Sequence, residues 1–512
     1  MSQAAILPEI TLIQHATVYD GDNSVGQQTD VAIEGDRIIC VGDCSHLNPT
    51  QMIDASGLAL APGFIDVHTH DDLVVMDNQA MLSKLSQGVT TVIVGNCGIS
   101  ASPALANQSQ LPDPVNLLGD SDAFIYPSFA DYALAIEQAK PAVNVGALIG
   151  HTTLRWQAME DLQTAANPTQ MQQMRQQLNH AVEQGALGLS TGLAYHNAQA
   201  ATAAEVEYIS QDLHQYGAIY TTHLRTEFAG ILDAMTEAFK LGQKAQLPVV
   251  ISHLKCAGVE NWGRAPEIIA HLEQAQQHQS VCCDCYPYTA SSSTLDLNQV
   301  TDDFDIFITW STPHPEMAGK TLAEIAALWQ LSLVQSAQKL QPAGAVYHCM
   351  NDADVEHILS HPSAMIGSDG LPCDPHPHPR LWGTFPRVLG HYVRQQQLLG
   401  LSHAIHKMTG LAATQFKLKQ RGKIANGYYA DLVLFSPETV ADTASFEQPQ
   451  QLAAGIEKVW VNGQLSYQQG QQIVAVAAGK LIKRDSLANH HLCTHKNDSA
   501  AIFTGSPISR SK

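Results

Sequence analysis

Short apolar runs alternate with amphipathic stretches along most of the chain. From Gly63 onward, each run is rich in β-branched residues and is followed by a longer stretch with helical periodicity. The eight runs are GFIDVHTH, VTTVIVGNCG, VNVGALIGH, ALGLSTGL, AIYTTHLR, LPVVISHLK, VCCDCYPY and AMIGSDG. This repeat predicts parallel strands joined by helical crossovers, and eight units suffice to close a TIM (β/α)8 barrel. We therefore predict an α/β fold with a barrel over residues 61–415.

The two ends of the chain carry a different pattern. Residues 1–60 contain short β segments separated by turns, such as ITLIQHATVYDG and DVAIEGDRIICVGD. A similar pattern returns within residues 416–480, in GYYADLVLF and IEKVWVNG. We predict that the two regions together form a small β-sandwich domain.

Two further segments depart from the strand–helix repeat. Residues 289–347, between the seventh and eighth runs, are too many for a single connection and predict an insertion, either a subdomain or a lid. Residues 485–512 mix Ser, Asn, Lys and His without periodicity, which predicts a flexible tail.

The composition of the chain limits the classes of molecule that we expect it to bind. The chain has 512 residues, with 27 Lys and Arg against 48 Asp and Glu, and its formal charge of -21 would repel nucleic acid and anionic membranes. The chain contains no apolar run near the roughly 20 residues of a membrane helix, and its N-terminus lacks a signal-peptide pattern. We expect a cytoplasmic protein with a small-molecule partner, and we leave the oligomeric state open.

Histidines end several of the predicted strands. His68 and His70 share one face of the first strand and stand together at its C-terminal end. His223 and His253 end the fifth and sixth runs at the same relative place. An isolated histidine is most often a core residue or a turn cap, but a pair at the catalytic rim of a barrel indicates a metal site.

An aspartate and a cysteine end two more of the runs. Asp369 closes the eighth run, which neighbours the first in a closed barrel, and a carboxylate there can bind metal or accept a proton from water. Ser-Asp-Gly alone would be an ordinary turn, so the histidines favour the functional interpretation. Cys97 ends the second run, where a thiolate would favour zinc over magnesium or calcium; the alternative is a buried structural thiol.

These residues and motifs resemble the amidohydrolase superfamily. LAPGFIDVHTH, the four histidines and the aspartate match its pattern, although the fourth run lacks the lysine that bridges two metals in many of its hydrolases. GNCG after HTHDD closely resembles the N-acyl-D-amino-acid deacylases, or D-aminoacylases, as do GLSTGL, SHLK, DCYPY, IGSDG and HPRLWGTFPRVLG. The resemblance extends from about Ile10 to Ser466.

The resemblance implies zinc-dependent hydrolysis of N-acyl-D-amino acids to a carboxylate and a free D-amino acid. It implies a tightly held zinc on Cys97, His223 and His253. It also implies a weaker second site on His68 and His70, with Cys97 as a candidate bridge. It requires no cofactor beyond metal.

The resemblance makes Asp369 the general acid and base, which takes a proton from water and returns it to the leaving amine. An N-acyl amino acid also has a free carboxylate that needs a cation. Lys255, on the strand face of His253, and Arg380, on the rim beyond Asp369, are the candidates; solvated surface charge is the alternative. The resemblance adds three substrate contacts: Tyr195, Tyr286 and Ser292.

The sequence departs from the family pattern in two places. GLAY is followed by HNAQ, where a Pro-Gly turn is typical of the family. Residues 291–300, SSSTLDLNQV, contain no Arg or Lys that could pair with an acidic substrate side chain. We therefore predict that neutral or apolar D-amino acids are preferred over D-glutamate and D-aspartate.

Two other functions share the barrel. A cyclic amidase of the hydantoinase or dihydroorotase kind has the same histidines, but the fourth run lacks a lysine and Cys97 is present. A non-catalytic binding protein on the same fold would have no need of all six metal and acid–base residues. Preference for the D-enantiomer depends entirely on the resemblance.

Overall fold

The computed structural model describes residues 9–77, 80–106, 111–471 and 477–484, so the predicted tail over 485–512 lies outside the described residues. The strands are β1 Ile10–Val18, β2 Gln27–Glu34, β3 Arg37–Gly42, β4 Gln51–Asp54, β5 Ala59–Pro62, β6 Phe64–Asp66, β7 Val89–Val94, β8 Ala104–Leu105, β9 Ile125–Tyr126, β10 Asn144–Ala147, β11 Ile149–Gly150, β12 Gly188–Gly192, β13 Ile219–His223, β14 Val249–Ile251, β15 Val281–Cys285, β16 Ser291–Thr294, β17 Ile306–Ser311, β18 Ala343–Tyr347, β19 Ala364–Ile366, β20 Leu432–Phe435, β21 Ile456–Val461, β22 Gln464–Gln468 and β23 Leu481–Ile482.

Helices separate most of the central strands, as the sequence pattern predicts. They are α1 Val74–Asp77, α2 Leu82–Leu85, α3 Phe129–Ala139, α4 His151–Ala158, α5 Pro168–Glu183, α6 Ala203–Ser210, α7 Ile231–Ala245, α8 Ala265–Gln276, α9 Leu322–Trp329, α10 Leu333–Leu340, α11 Asp352–Ser360, α12 Arg380–Arg387, α13 Leu401–Met408 and α14 Gly410–Gln415, with a π-helical segment Val388–Gln395 after α12. In α7, Ile231, Ala234, Met235, Ala238 and Leu241 are buried. Their spacing of three and four residues places one apolar stripe against the strands.

All eight predicted runs contain strands, and these strands pair in parallel. One row has the order β6, β7, β10, and a second has the order β11, β12, β13, β14, β15, β19. The third run, VNVGALIGH, contains both β10 and β11, so it belongs to both rows. Beyond β19, Thr69 and Gly370 form a parallel bridge, and the Asp369 amide donates to the His68 carbonyl over 2.8 Å. The C-terminal ends of the first and last strands therefore lie side by side.

Strands from both ends of the chain share one sheet. Its order is β22, β21, β20, β5, β1, β2, β3, with β4 paired to β1. A buried polar cluster joins this sheet to β10. Asp431 pairs with Arg421 and accepts from the Asn462 amide over 2.8 Å, while the Asn462 side chain donates to Asn144 Oδ1 over 2.7 Å. The sequence pattern did not predict β23, which pairs in parallel with β10.

The segment between the seventh and eighth runs forms a small α/β unit. Its strands make an antiparallel sheet in the order β16, β18, β17, and α9 and α10 lie between β17 and β18. Ile308, Ile325, Ala337, Leu340 and Ala345 contribute to a hydrophobic cluster of its own. A segment with its own core can hold β16 in a defined place at the edge of the parallel strands.

Among the described residues, none of the helices has the length and apolar character needed to cross a membrane.

Removal of the Asp431 carboxylate tests the buried polar cluster that joins β10 to the sheet formed from both chain ends. This cluster is the joint between the two sheets. We expect Asp431→Ala to lower the free energy of unfolding by about 3–5 kcal/mol, because Arg421 is left buried without a counter-charge. The measurement is the thermal midpoint at a fixed scan rate. As a control, Asp36→Ala breaks the exposed ion pair with Lys480 and should cost at most about 1 kcal/mol. Equal shifts in the two variants would contradict the role of this joint.

Candidate active site

The predicted metal and acid–base residues all lie at the C-terminal ends of parallel strands. His68 and His70 follow β6, Cys97 follows β7, His223 ends β13, His253 follows β14 and Asp369 follows β19. Because parallel strands end at the same edge of their sheet, residues far apart in sequence meet there.

Three of these residues have an unusual backbone. Cys97, His253 and Asp369 have φ values of 53°, 35° and 49°, in the left-handed region, which costs a residue other than glycine about 1–3 kcal/mol. Cys97 also lies between glycines that have no room for a side chain. A Cβ on Gly95 would lie 2.2 Å from the Leu148 carbonyl oxygen, and one on Gly98 would lie 2.6 Å from the Gly192 nitrogen. The GNCG motif therefore turns the chain sharply after β7 and places the thiol at the rim.

The Cys97 thiol is buried among imidazoles. Its Sγ lies 3.1 Å from His68 Nε2 and 3.4 Å from His253 Nε2. Burial alone would raise the pKa of this thiol, but the charges of His68 and His253 and hydrogen bonds from His223 and His253 hold it well below its usual value. The side chain is therefore a thiolate, which is the form that binds metal.

The Asp369 carboxylate stands beside the thiolate. Its Oδ1 lies 3.2 Å from His70 Nε2 and 3.5 Å from His68 Nε2, and its Oδ2 forms an ion pair with Arg380 Nη2 at 2.9 Å. Burial alone would raise the pKa of Asp369, but Arg380 and the histidines hold it well below its usual value. Asp369 is therefore ionised and able to accept a proton.

Two acidic residues that the sequence analysis did not select hold the histidines in place. Asp284 accepts from the His253 amide over 2.9 Å and lies 3.3 Å from His68 Nδ1. Glu227 Oε1 lies 2.9 Å from His253 Nδ1, and its Oε2 lies 3.9 Å from His223 Nε2. Carboxylates behind metal-binding histidines fix the orientation of the ring. The DCYPY motif contains Asp284, so the sequence offered a signal for this residue. Glu227 lies in a loop, where the sequence pattern does not mark it.

The two predicted cations are both buried and paired. Lys255 Nζ pairs with Glu227 and lies 2.7 Å from His253 Nδ1. Arg380 pairs with Asp369 and also donates to the Ser292 carbonyl over 3.1 Å. Neither residue is a solvated surface charge.

The predicted aromatic and hydroxyl contacts surround the same site. The Tyr195 ring packs on the His223 ring at a centroid distance of 4.9 Å, and the Arg380 guanidinium lies 4.6 Å from the Tyr286 ring centre. Within the described residues, Tyr286 OH, Ser292 Oγ and Arg380 Nε and Nη1 are buried and lack a hydrogen-bond partner. Such groups favour a polar ligand, because a buried unpaired donor costs about 1–3 kcal/mol.

Tyr195, Ser292 and Lys255 line one large cavity. It has a volume of about 580 Å³ and is lined at one end by His223, His253 and Asp369. Residues 291–299 of the small α/β unit line it further out. The volume is in the range of small-molecule sites.

The donor set suits zinc. The ligand atoms of His68, Cys97, His253 and Asp369 lie within 4.8 Å of one another, and His223, Glu227 and His253 form a second such group. A thiolate with imidazoles is a combination typical of zinc, which binds nitrogen and sulfur ligands tetrahedrally. All six sequence-predicted metal and acid–base residues thus lie in one cluster, in which His70 contacts Asp369 and the His68 ring.

Comparison with known proteins places the chain in a family. The model of the amidohydrolase family matches residues 51–284 and 313–467. D-aminoacylase of Alcaligenes xylosoxydans xylosoxydans is 45% identical over 94% of this chain and 99% of its own length. N-acyl-D-aspartate deacylase of the same organism is 47% identical over 88% of this chain and 91% of its own length.

Solved structures agree with this placement. A crystal structure of D-aminoacylase is 44% identical, with a TM-score of 0.91 over 93% of this chain and 99% of its own. N-acyl-D-glutamate deacylase of Bordetella bronchiseptica, complexed with zinc and a phosphonate that mimics the tetrahedral intermediate, is 40% identical with a TM-score of 0.89 over the same shares. The D-hydantoinase of Thermus sp. is 16% identical with a TM-score of 0.58, a likeness of fold alone. This chain belongs to the N-acyl-D-amino-acid deacylase family of the amidohydrolases.

Proposed function

We propose that this protein hydrolyses the amide bond of N-acyl-D-amino acids, with zinc, to a carboxylate and a free D-amino acid. The observation that carries the proposal is the Cys97 thiolate among histidines, beside the ionised Asp369, at one end of the cavity. Relatives that are 42–47% identical over most of the chain are deacylases of D-amino-acid derivatives.

We propose a tight zinc on Cys97, His223 and His253 and a weaker second site on His68 and His70, with Cys97 between the two. The short distances from Cys97 Sγ to His68 and His253 support a thiolate that is shared by the two sites. When bound there, zinc supplies a Lewis acid that polarises the acyl carbonyl and makes water more acidic.

Asp369 is the proposed general base and then the general acid. The ion pair with Arg380 keeps the Asp369 carboxylate unprotonated, and in this state it takes a proton from the attacking water and passes it to the leaving amine nitrogen. The substrate carboxylate binds near Arg380, where Tyr286 OH and Ser292 Oγ offer further donors. The remaining proposed contacts are Lys255 and Tyr195.

The proposed scaffold is a closed TIM barrel over residues 61–415 with the insertion at 289–347. The adjacent ends of β6 and β19 support closure. Residues 1–60 and 416–480 form the proposed β-sandwich domain. The expectations of a small-molecule partner and of a cytoplasmic location remain predictions.

Acidic substrate side chains are disfavoured in this proposal. Residues 291–299 line the cavity, and residues 291–300 contain no Lys or Arg. An acidic side chain would therefore lose its hydration there without gaining a counter-ion.

The enantiomers of N-acetyl-methionine test the function directly. We expect the zinc-loaded protein to hydrolyse the D-enantiomer at least roughly tenfold faster than the L-enantiomer, measured as kcat/KM from amine release. Equal rates, or turnover of a hydantoin only, would contradict the proposal.

Substitution of Asp369 tests the acid–base step. Asp369→Ala removes the proton acceptor but not the proposed ligands of the tight zinc, so zinc should be retained while kcat falls by a factor on the order of 10²–10⁴. Zinc content is measured by mass spectrometry of the purified variant beside its turnover. An Asp369→Ala protein with normal turnover would remove this residue from the mechanism.

Substitution of Cys97 tests the metal site. Cys97→Ala should lose zinc, because the thiolate is the ligand shared by both proposed sites. Cys44→Ala is the matched control. Cys44 is also a buried free thiol, but it packs against the sheet that is formed from both ends of the chain. Full retention of zinc by Cys97→Ala would show that Cys97 is a structural thiol.

A further inference from the structure

Two of the carboxylates that line the cavity do not belong to the metal cluster. Asp113 precedes a 3-10 turn at Val115–Leu117, and Asp296 follows β16 in the small α/β unit. Neither residue belongs to the motifs that identify the family, and the proposed hydrolysis uses neither of them.

Asp113 is partly buried, and one of its oxygens has no hydrogen-bond partner among the described residues. Among the described residues, Asp113 Oδ1 is shielded from solvent and lacks a hydrogen-bond partner. The backbone around it is held in place, because Asn197 Nδ2 donates to the Asp113 carbonyl. A buried carboxylate oxygen without a partner is costly unless a ligand supplies a donor.

Asp296 differs from Asp113 because both of its oxygens are occupied. Its Oδ1 accepts from the Asn298 amide over 2.9 Å, and its Oδ2 accepts from Gln299 Nε2 over 3.4 Å. Its charge still acts on Asp113. Burial raises the pKa of Asp113 and the nearby Asp296 adds to this effect, while a hydrogen bond with Thr294 and the charge of His196 lower it, so that the resulting pKa is about 6. At pH 8 Asp113 is therefore ionised.

Asp113 is close to the reacting end of the cavity. Asp113, Tyr195 and Asp369 line the same cavity. Burial raises the pKa of Tyr195, and the charges of Cys97, Asp369 and Asp113 add to this effect. The Tyr195 ring itself packs on His223. A substrate held at the metal cluster can therefore extend a side chain past Tyr195 to Asp113.

The cations of the cavity are already paired. Arg225 binds Glu237 through two contacts of 2.8 and 2.9 Å, and Lys255 pairs with Glu227. The sequence contains no lysine or arginine between Lys84 and Lys140 or between Arg264 and Lys320, the two stretches that supply Asp113 and Asp296. Neither stretch therefore supplies a lysine or arginine to Asp113 or Asp296, and the positive group that acts on Asp113 is His196, which lines the same cavity.

We propose that Asp113 determines specificity by binding a cationic end of the substrate side chain, as in an N-acyl derivative of D-arginine or D-lysine. This inference rests on the proposed deacylase function. It refines the preference for non-acidic side chains: among long side chains of equal size, one that ends in a cation is bound better than a neutral one. Such a substrate also has no net charge, which reduces its repulsion by a chain of formal charge -21.

N-acetyl-D-arginine and N-acetyl-D-citrulline provide a matched pair for the test, because guanidinium and urea groups have nearly the same size. At pH 8 we expect kcat/KM of the wild-type protein to be about 10- to 100-fold higher for the arginine derivative, the range of a hydrogen bond to a charged group. Asp113→Asn should lower this ratio to about one, whereas Asp113→Glu should keep it well above one. Asp302→Asn, on an exposed residue outside the cavity, should leave the ratio unchanged.

Binding measurements separate this inference from the proposed function. Calorimetry with zinc-loaded Asp369→Ala protein, which is expected not to turn the ligands over, should give the same order of Kd values for the arginine and citrulline derivatives. A ratio of one or less in the wild type, or an unchanged ratio in Asp113→Asn, would overturn the role of Asp113. Lack of N-acetyl-D-methionine hydrolysis with tighter binding of the arginine derivative would instead contradict the deacylase function alone.

Discussion

The site depends on the burial of the Cys97 thiolate. A thiolate removed from water is unstable unless positive or hydrogen-bonding groups surround it, and here the imidazoles of His68 and His253 contact Sγ from two sides. These rings must in turn be held, which explains the buried carboxylates of Asp284 and Glu227 behind them. The thiolate is thus surrounded by imidazoles, and the imidazoles are in turn held by carboxylates, so the sign of the charge alternates outward from the sulfur atom.

The strand ends provide the rigidity that this arrangement requires. Cys97, His253 and Asp369 each turn through a strained backbone directly after a buried strand or run. The surrounding bonds maintain these turns: the Asp369 amide donates to the His68 carbonyl, and the His253 amide donates to Asp284. A strained backbone persists only where the neighbouring structure holds it in place. The close backbone contacts at Gly95 and Gly98 hold the turn at Cys97 in the same way.

The sequence predicted the parts of the molecule that follow strong periodicity. Apolar runs that end in His, Cys or Asp indicated both the parallel strands and the common edge where the six residues meet. Glu227 was not predicted, because a loop has no periodicity that would place its side chain against His253. The antiparallel strand β16, with the sequence SSST, carries no hydrophobic signal, and its position is set by contacts with β18. The pairing of Lys255 with Glu227 likewise depends on tertiary structure alone.

The direct test of the account is the identity of the atoms that hold the proposed zinc. Zinc K-edge X-ray absorption of the wild-type protein, loaded with one zinc per chain, distinguishes sulfur from nitrogen or oxygen ligands. We predict one sulfur at about 2.3 Å with nitrogen ligands at about 2.0–2.1 Å. A shell of nitrogen and oxygen alone would show that the Cys97 thiolate does not hold the metal and would contradict the central claim.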